Sequence, residues 1–228
     1  MNILGLEKLS LVDFPNCVAA VIFTGGCNFR CPFCHNAGLV EDKYQKIETS
    51  EVMDYLIARK KMLDGVVISG GEPTIQSDLV PFIKSVKEMG YKVKLDTNGT
   101  NPDVLESLVE QKLVDYVAMD IKNSLDMYST TTGIANLNTS KVQKSLNILK
   151  KGEVDYELRT TLISNFHTRE NIEKMAEELQ GVKRLYLQKF VDNENCIKSG
   201  LSEVSKEVAE EFKHILENNG ITTKLRGY

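Results

Sequence analysis

The sequence lacks an excess of either charge. Its 28 Lys and Arg stand against 32 Asp and Glu, leaving a formal net charge of −4. Without a basic excess there is no electrostatic footprint for nucleic acid held through its phosphates. No run approaches the ~18 apolar residues that a helical membrane span needs, so no membrane partner is expected. Met1–Ser10 joins no basic stretch to an apolar core. No secretory signal is therefore expected, and a reducing cytoplasm is the expected compartment. The five cysteines then read as thiols or metal ligands before disulfides. There is no linker-like or low-complexity segment and no internal repeat, so residues 1–228 are expected to form a single domain. Hydrophobic residues at 42% and charged residues at 26% are ordinary globular values, which excludes a disordered or fibrous chain.

What is present is an alternation. Apolar runs at Val18–Phe23, Gly65–Ile68, Tyr91–Leu95, Tyr116–Met119, Tyr156–Leu158 and Leu185–Leu187 end in glycine or polar clusters, as strands buried on both faces do. Between them, Glu51–Lys61, Gln76–Met89, Pro102–Gln111, Ser140–Lys150, Arg169–Leu179 and Glu203–Asn218 space apolar residues three and four apart, the helical period. Six strand–helix units in series predict an α/β fold with parallel strands, a partial (β/α)6 TIM-like barrel short of the eight units that close a full one. Polar residues gather after strand upon strand, at the end where such folds bind ligands.

The sharpest signal is Cys27-Asn28-Phe29-Arg30-Cys31-Pro32-Phe33-Cys34, a C-x3-C-x2-C spacing just after the first predicted strand. Three thiolates so close can converge on one metal centre. An iron–sulfur cube usually takes four cysteines, and three leave one iron open to substrate, much as catalytic zinc sites keep an open position. Other readings of the same residues stand beside it. Cys27, Cys31, Cys34 and His35 make a Cys3His zinc set, although ligation of one ion by adjacent residues 34 and 35 is strained. Cys31–His35 fits the C-x-x-C-H of covalent haem, which an unexported chain does not acquire. Cys31 and Cys34 alone fit a thioredoxin-like pair, which leaves Cys27 unused.

The spacing, with an aromatic before the last cysteine, resembles the radical S-adenosylmethionine (SAM) enzymes over nearly the whole chain. Gly5–Pro15 and Gly26–Asn36 are most similar to activating proteins of anaerobic ribonucleoside-triphosphate reductase, within the wider group of glycyl-radical-enzyme activases. The resemblance implies one [4Fe-4S] cluster on Cys27, Cys31 and Cys34, with SAM on the fourth iron. It implies a 5′-deoxyadenosyl radical that takes hydrogen from a glycine Cα of the partner. That partner would be a glycyl-radical enzyme, first of all the anaerobic ribonucleotide reductase, and the electron donor a low-potential protein such as flavodoxin or ferredoxin.

Further motifs gain meaning beside the cysteines. Ser69-Gly70-Gly71-Glu72-Pro73 reads alone as a turn. Next to the cysteine loop it resembles the family's GGE motif, which makes Gly70, Gly71 and Glu72 contacts to the SAM amino group. Phe33 would face the adenine, or simply cover the cluster. Asp96-Thr97-Asn98-Gly99 and Asp120-Ile121-Lys122 end the third and fourth predicted strands; bare of resemblance they are an ion pair closing the barrel. In the activases Asp96, Asp120 and Lys122 correspond to SAM-binding segments, Lys122 facing the SAM carboxylate, in some members with a bound monovalent cation. Arg159 and Gln188 end the fifth and sixth predicted strands, as rim contacts to SAM or partners of the acidic pair. Asp13 matches an aspartate that touches the partner's glycine-bearing peptide, or else starts a turn.

His35 is expected near the cluster but not on it, and His167 and His214 on the surface. Cys17 and Cys196 read as a packed and a spare thiol. Too few residues separate Cys34 from Thr49, and too few cysteines remain, for an inserted domain with a second cluster. Activation of another glycyl-radical enzyme, small-molecule radical SAM chemistry such as deazapurine synthesis, and a zinc-stabilised binding module are the alternatives.

Overall fold

The computed structural model describes residues 1–228. Eight strands form one sheet in sequence order: β1 (Ile3–Ser10), β2 (Ala19–Thr24), β3 (Gly65–Gly70), β4 (Lys92–Thr97), β5 (Tyr116–Asp120), β6 (Asp155–Leu162), β7 (Arg184–Lys189) and β8 (Thr222–Arg226). From β2 to β8 every neighbouring pair is parallel, while β1 runs antiparallel to β2. The first and last strands do not pair with each other. The barrel is therefore open along one side, as a mostly parallel partial barrel requires.

Helices α1 (Ala37–Val40), α2 (Thr49–Arg59), α3 (Leu79–Glu88), α4 (Pro102–Glu110), α5 (Tyr128–Thr132), α6 (Ser140–Lys150), α7 (Arg169–Glu178) and α8 (Lys206–Asn218) connect them. Alternation sorts each strand's side chains between two cores. Val66 and Ile68 of β3, Val93 and Leu95 of β4 and Leu158 and Leu162 of β6 face out and join the large apolar core with the helices, since successive strand residues point to opposite faces. The inward set makes a second, smaller core. Ala19, Val21, Val67 and Tyr116 pack with Phe14 and Cys17 at the end of the barrel where the parallel strands begin.

The six expected strands and their intervening helices are all present; β1 and β8 are additions. Neither contains a continuous apolar run. β8 (Thr-Thr-Lys-Leu-Arg) is held instead by Arg226. Its guanidinium donates to both oxygens of buried Glu157 on β6 (3.0 and 2.9 Å) and lies over the Tyr186 ring of β7 at 3.6 Å. The expected helix at Glu203 begins at Lys206, because the Ser205 side chain accepts from Val208 N and caps it.

Candidate functional site

A cavity of about 280 Å³ opens where β3 to β6 end. Its walls are the cysteine loop after β2, the glycine loop after β3, the loop after β4, and the last inward residues of β5 and β6.

The cysteine loop is shaped before anything binds it. Arg30 N donates to Thr132 O of α5 (2.9 Å), and its guanidinium donates to the carbonyls of Cys27 and Phe29 at 2.5 and 2.7 Å. Phe29 N donates to Cys27 Sγ (3.3 Å), and Cys34 N donates to Cys31 O (3.0 Å), closing a turn. The backbone of Ile197 and Lys198 also donates to the carbonyls of Cys34 and Pro32, so the segment around Cys196 braces the loop. Phe33 is buried against Phe166 with ring centroids 6.1 Å apart. All three cysteines are unpaired and line the cavity. Burial pushes the Cys27 thiol up to about 11 and the Cys31 thiol up to about 12, and it raises Cys34 too. No three His, Cys, Asp or Glu side chains are gathered closely enough to hold one ion. His35 instead stacks on Phe190 with centroids 5.4 Å apart.

Two glycines let the next loop lie against the first. Gly70 has φ +117°, a backbone region that L residues avoid. A Cβ on Gly71 would stand 1.9 Å from Gly26 O. With only hydrogens there, Gly71 N reaches Thr24 O (2.8 Å) and Glu72 N reaches Gly26 O (2.9 Å). Glu72 itself is fully buried. Its Oε1 accepts from Thr74 N (3.1 Å), from the Thr74 hydroxyl and from the Thr97 hydroxyl (2.7 Å). Its Oε2 accepts from Asn98 N (2.6 Å). Burial raises its pKa despite these donors. Whatever else it touches, Glu72 knots the loop after β3 to the loop after β4. Asn98 extends the knot: its Nδ2 donates to Asn28 Oδ1 (2.8 Å), and Asn28 Nδ2 donates to the Thr100 hydroxyl (2.7 Å). Three loops are thereby tied into one rim.

Beneath the rim runs a chain of five charges. Lys94 Nζ lies 2.6 Å from Asp96 Oδ1, and Arg159 Nη1 lies 3.2 Å from Asp96 Oδ2. Arg159 Nε lies 2.9 Å from Asp120 Oδ1, and Lys122 Nζ lies 2.9 Å from Asp120 Oδ2. Burial pushes the Asp120 carboxyl up, but the Arg159 and Lys122 cations outweigh it and hold it down at about 2. The same contest, won by Arg159 and Lys94, lowers Asp96. Lys94 is buried behind Asp96, so the cavity wall itself carries Arg159 and Lys122 against Asp96, Asp120 and Glu72, and Lys122 at the end of the row is the cation placed to meet an anionic group.

Phe33, Gly70, Gly71, Glu72, Asp96, Asp120 and Lys122 thus meet the three cysteines around one cavity, and Arg159 joins them. Gln188 and Asp13 do not. Gln188 sits on β7 beside Thr161 and Arg226, outside the cavity wall. Asp13 follows Ser10, which pairs with Ala19 at the start of β2, and it accepts from the Ser10 hydroxyl. It therefore lies at the opposite end of the barrel from the cysteine loop, and its assignment as a contact for a peptide at the mouth finds no support in this placement.

His167 also departs from expectation: it is 3% exposed rather than on the surface. Its Nε2 lies 2.9 Å from Lys122 O, which can only accept, and its Nδ1 lies 3.1 Å from Ile163 N, which can only donate. Nδ1 also lies 3.2 Å from Ile163 O, so both ring nitrogens are satisfied by backbone. Burial lowers its pKa. With the Tyr128 hydroxyl accepting from Lys122 N (3.1 Å), His167 holds the Lys122 backbone from both sides. Lys94, Asn28 and Asn98 were also missed as site builders. Lys94 had a signal in the alternation Lys92-Val93-Lys94-Leu95-Asp96, which aims Lys94 and Asp96 at one face.

Comparison with known proteins brings the same region forward. Residues 21–180 match the model of the Radical SAM superfamily. The chain is 37% identical over 193 residues to a Methanocaldococcus jannaschii protein that carries the name glycyl-radical enzyme activating enzyme as a provisional assignment, covering 82% of this chain and 78% of that one. It is 30% identical over 188 residues to the pyruvate formate-lyase-activating enzyme of Clostridium pasteurianum, covering 79% and 76%. Among solved structures, a radical SAM methyltransferase from Sphaerobacter thermophilus superposes with a TM-score of 0.75 at 15% identity, over 96% of this chain and 68% of that one. That likeness establishes the fold alone.

Proposed function

The chain belongs to the radical SAM superfamily, and within it we propose that it is a glycyl-radical-enzyme activase. One observation carries the reading: three thiols of a single loop share a cavity with a glycine-rich loop and a row of paired charges that ends in Lys122. The donor set fits an iron–sulfur cube better than a single ion. A cube takes each thiolate on a different iron, and three thiols of one loop that line the same cavity suit that donor set. Cys27, Cys31 and Cys34 would hold it. When bound and reduced by an external donor, the cluster would supply the one electron for reductive cleavage of SAM to methionine and a 5′-deoxyadenosyl radical, the species that would take a glycine Cα hydrogen.

The chain's own residues bind and orient. Lys122, at the end of the charge row, meets the SAM carboxylate. Gly70 and Gly71 present bare backbone to its amino group, and Phe33 covers the adenine. Glu72, with most of its acceptor capacity filled by the rim, acts first by holding the loops in register.

The partner is a glycyl-radical enzyme. Anaerobic ribonucleotide reductase rests on the resemblance of Gly5–Pro15, whereas the relative named for its substrate activates pyruvate formate-lyase. Both candidate partners enter one experiment: each is incubated anaerobically with this protein, SAM and a reductant, and its paramagnetic resonance spectrum recorded. A glycine-centred doublet in one of them identifies the partner. No doublet in either, with SAM cleaved normally, would exclude both partners and turn the search to another glycyl-radical enzyme or a small-molecule substrate.

A further inference from the structure

The half-buried carboxylates Asp96 and Asp120 both pair with Arg159 on the cavity floor, and resemblance to the activases implies a monovalent cation there. The geometry does not fit one. All four carboxylate oxygens already have a cationic nitrogen of the protein within 2.6–3.2 Å. Asp96 Oδ2 accepts from the Ser69 hydroxyl as well (3.0 Å). An alkali ion taking these oxygens would have to share them with three protein cations, whose charges repel it and whose charge-assisted hydrogen bonds compete with it.

We infer that Arg159 stands in for that cation: its guanidinium bridges Asp96 and Asp120 and makes the site independent of alkali metal. The planar fork suits the task. Nε reaches one carboxylate and Nη1 the other, a span that a single lysine ammonium, acting as a point charge, does not cover in the same way. The guanidinium also stays charged at every physiological pH. Lys94 and Lys122 cap the outer oxygens, so the row reads cation, carboxylate, cation, carboxylate, cation. Of the five, Arg159 alone touches both acids. It is therefore a positioning residue, holding Asp120, and through it Lys122, in place from within.

The test compares thermal midpoints of the anaerobically reconstituted protein in sodium, potassium and tetramethylammonium chloride at equal ionic strength. This readout does not depend on the cofactor reading. The wild type should give the same midpoint in all three salts; a midpoint raised by sodium or potassium over tetramethylammonium would overturn the inference. Arg159→Met, which keeps the length and removes the charge, should melt several degrees lower in tetramethylammonium and recover part of that loss in sodium or potassium. Recovery selective for an alkali ion is not expected from a merely structural loss, and its absence in a folded variant would also overturn the inference. Should Arg159→Met not fold, the wild-type comparison still decides, and Arg159→Lys supplies the graded case. Because its shorter reach leaves one carboxylate unserved, it should show weaker alkali dependence than Arg159→Met; dependence as strong as that of the methionine variant contradicts the bridging role. SAM affinity measured in the same salts tests the cofactor reading separately. Midpoints that behave as expected while SAM binding ignores Arg159 would move the cofactor off this floor and leave the bridge intact.

Discussion

The two sides of the cavity are built on opposite plans. On the floor every charge has its partner inside the protein, and two carboxylates are held ionised by three cations. On the cysteine wall, three thiols are raised by burial with little to stabilise their charged form. We read the floor as the finished side, its charges paired within the fold, and the wall as the waiting side, whose thiols the proposed cluster would ionise. Glu72 and Asn98, which tie the rim together, are the hinge between the two halves.

The largest effect should come from the waiting side. Cys27→Ala, Cys31→Ala and Cys34→Ala should each reduce SAM cleavage below detection, whereas Cys17→Ala, in the small core at the far end of the barrel, should leave it intact. Iron content and cleavage assays on anaerobic protein check this; equal cleavage in all four variants would remove the cluster from these cysteines.

Next comes the hinge. Glu72→Ala strips the acceptor from two hydroxyls and two backbone amides. Stranding such buried donors costs on the order of 3 kcal/mol. Denaturant unfolding should show that loss together with weakened SAM binding. Loss of binding without loss of stability would make Glu72 a direct ligand and not a knot.

The finished side should answer to acid. The Asp120 carboxyl is held below its unfolded value, at about 2, against ~3.9 in an unfolded chain. Its contribution to stability is therefore complete above pH ~4 and fades as pH falls toward ~2. Unfolding measured across that window should show a smaller acid loss in Asp120→Asn than in the wild type. An identical pH profile would mean that the charge chain is not coupled to folding.

The smallest effect is expected at Gln188. Since it stands outside the cavity wall, Gln188→Ala should change SAM affinity by less than about twofold, on the scale of exposed substitutions. A larger change would extend the site toward β7 and β8.

How far the sequence reveals this plan varies with the kind of contact. β2 and β3 are legible because strands covered on both faces are apolar along their length, as Val18–Phe23 is, and β4 to β7 because each keeps a short apolar run or alternation between polar ends. β1 and β8 are not, for they line the open side, where Glu7, Lys8 and Lys224 remain exposed. The cysteine and glycine loops are legible because their chemistry is compressed into a few consecutive residues. The internal bonds of the site are not. His167 meets Lys122 across 45 positions, and Asn98 meets Asn28 across 70, separations over which no local pattern survives. Where Asp13 lies is likewise not legible: the reversal of β1 and the length of β2 together carry it to the other end of the barrel from the cysteine loop.

The central claim is that the waiting wall and the finished floor form one site, with a cluster on the three cysteines and SAM between it and Lys122. Adding SAM to the anaerobically reconstituted, reduced protein and recording the cluster's paramagnetic resonance tests it most directly. The account predicts a cluster signal whose g-values shift with SAM in the wild type and shift far less, at the same SAM concentration, in Lys122→Ala. A wild-type signal that SAM leaves unmoved, or protein that takes up no iron, would contradict it.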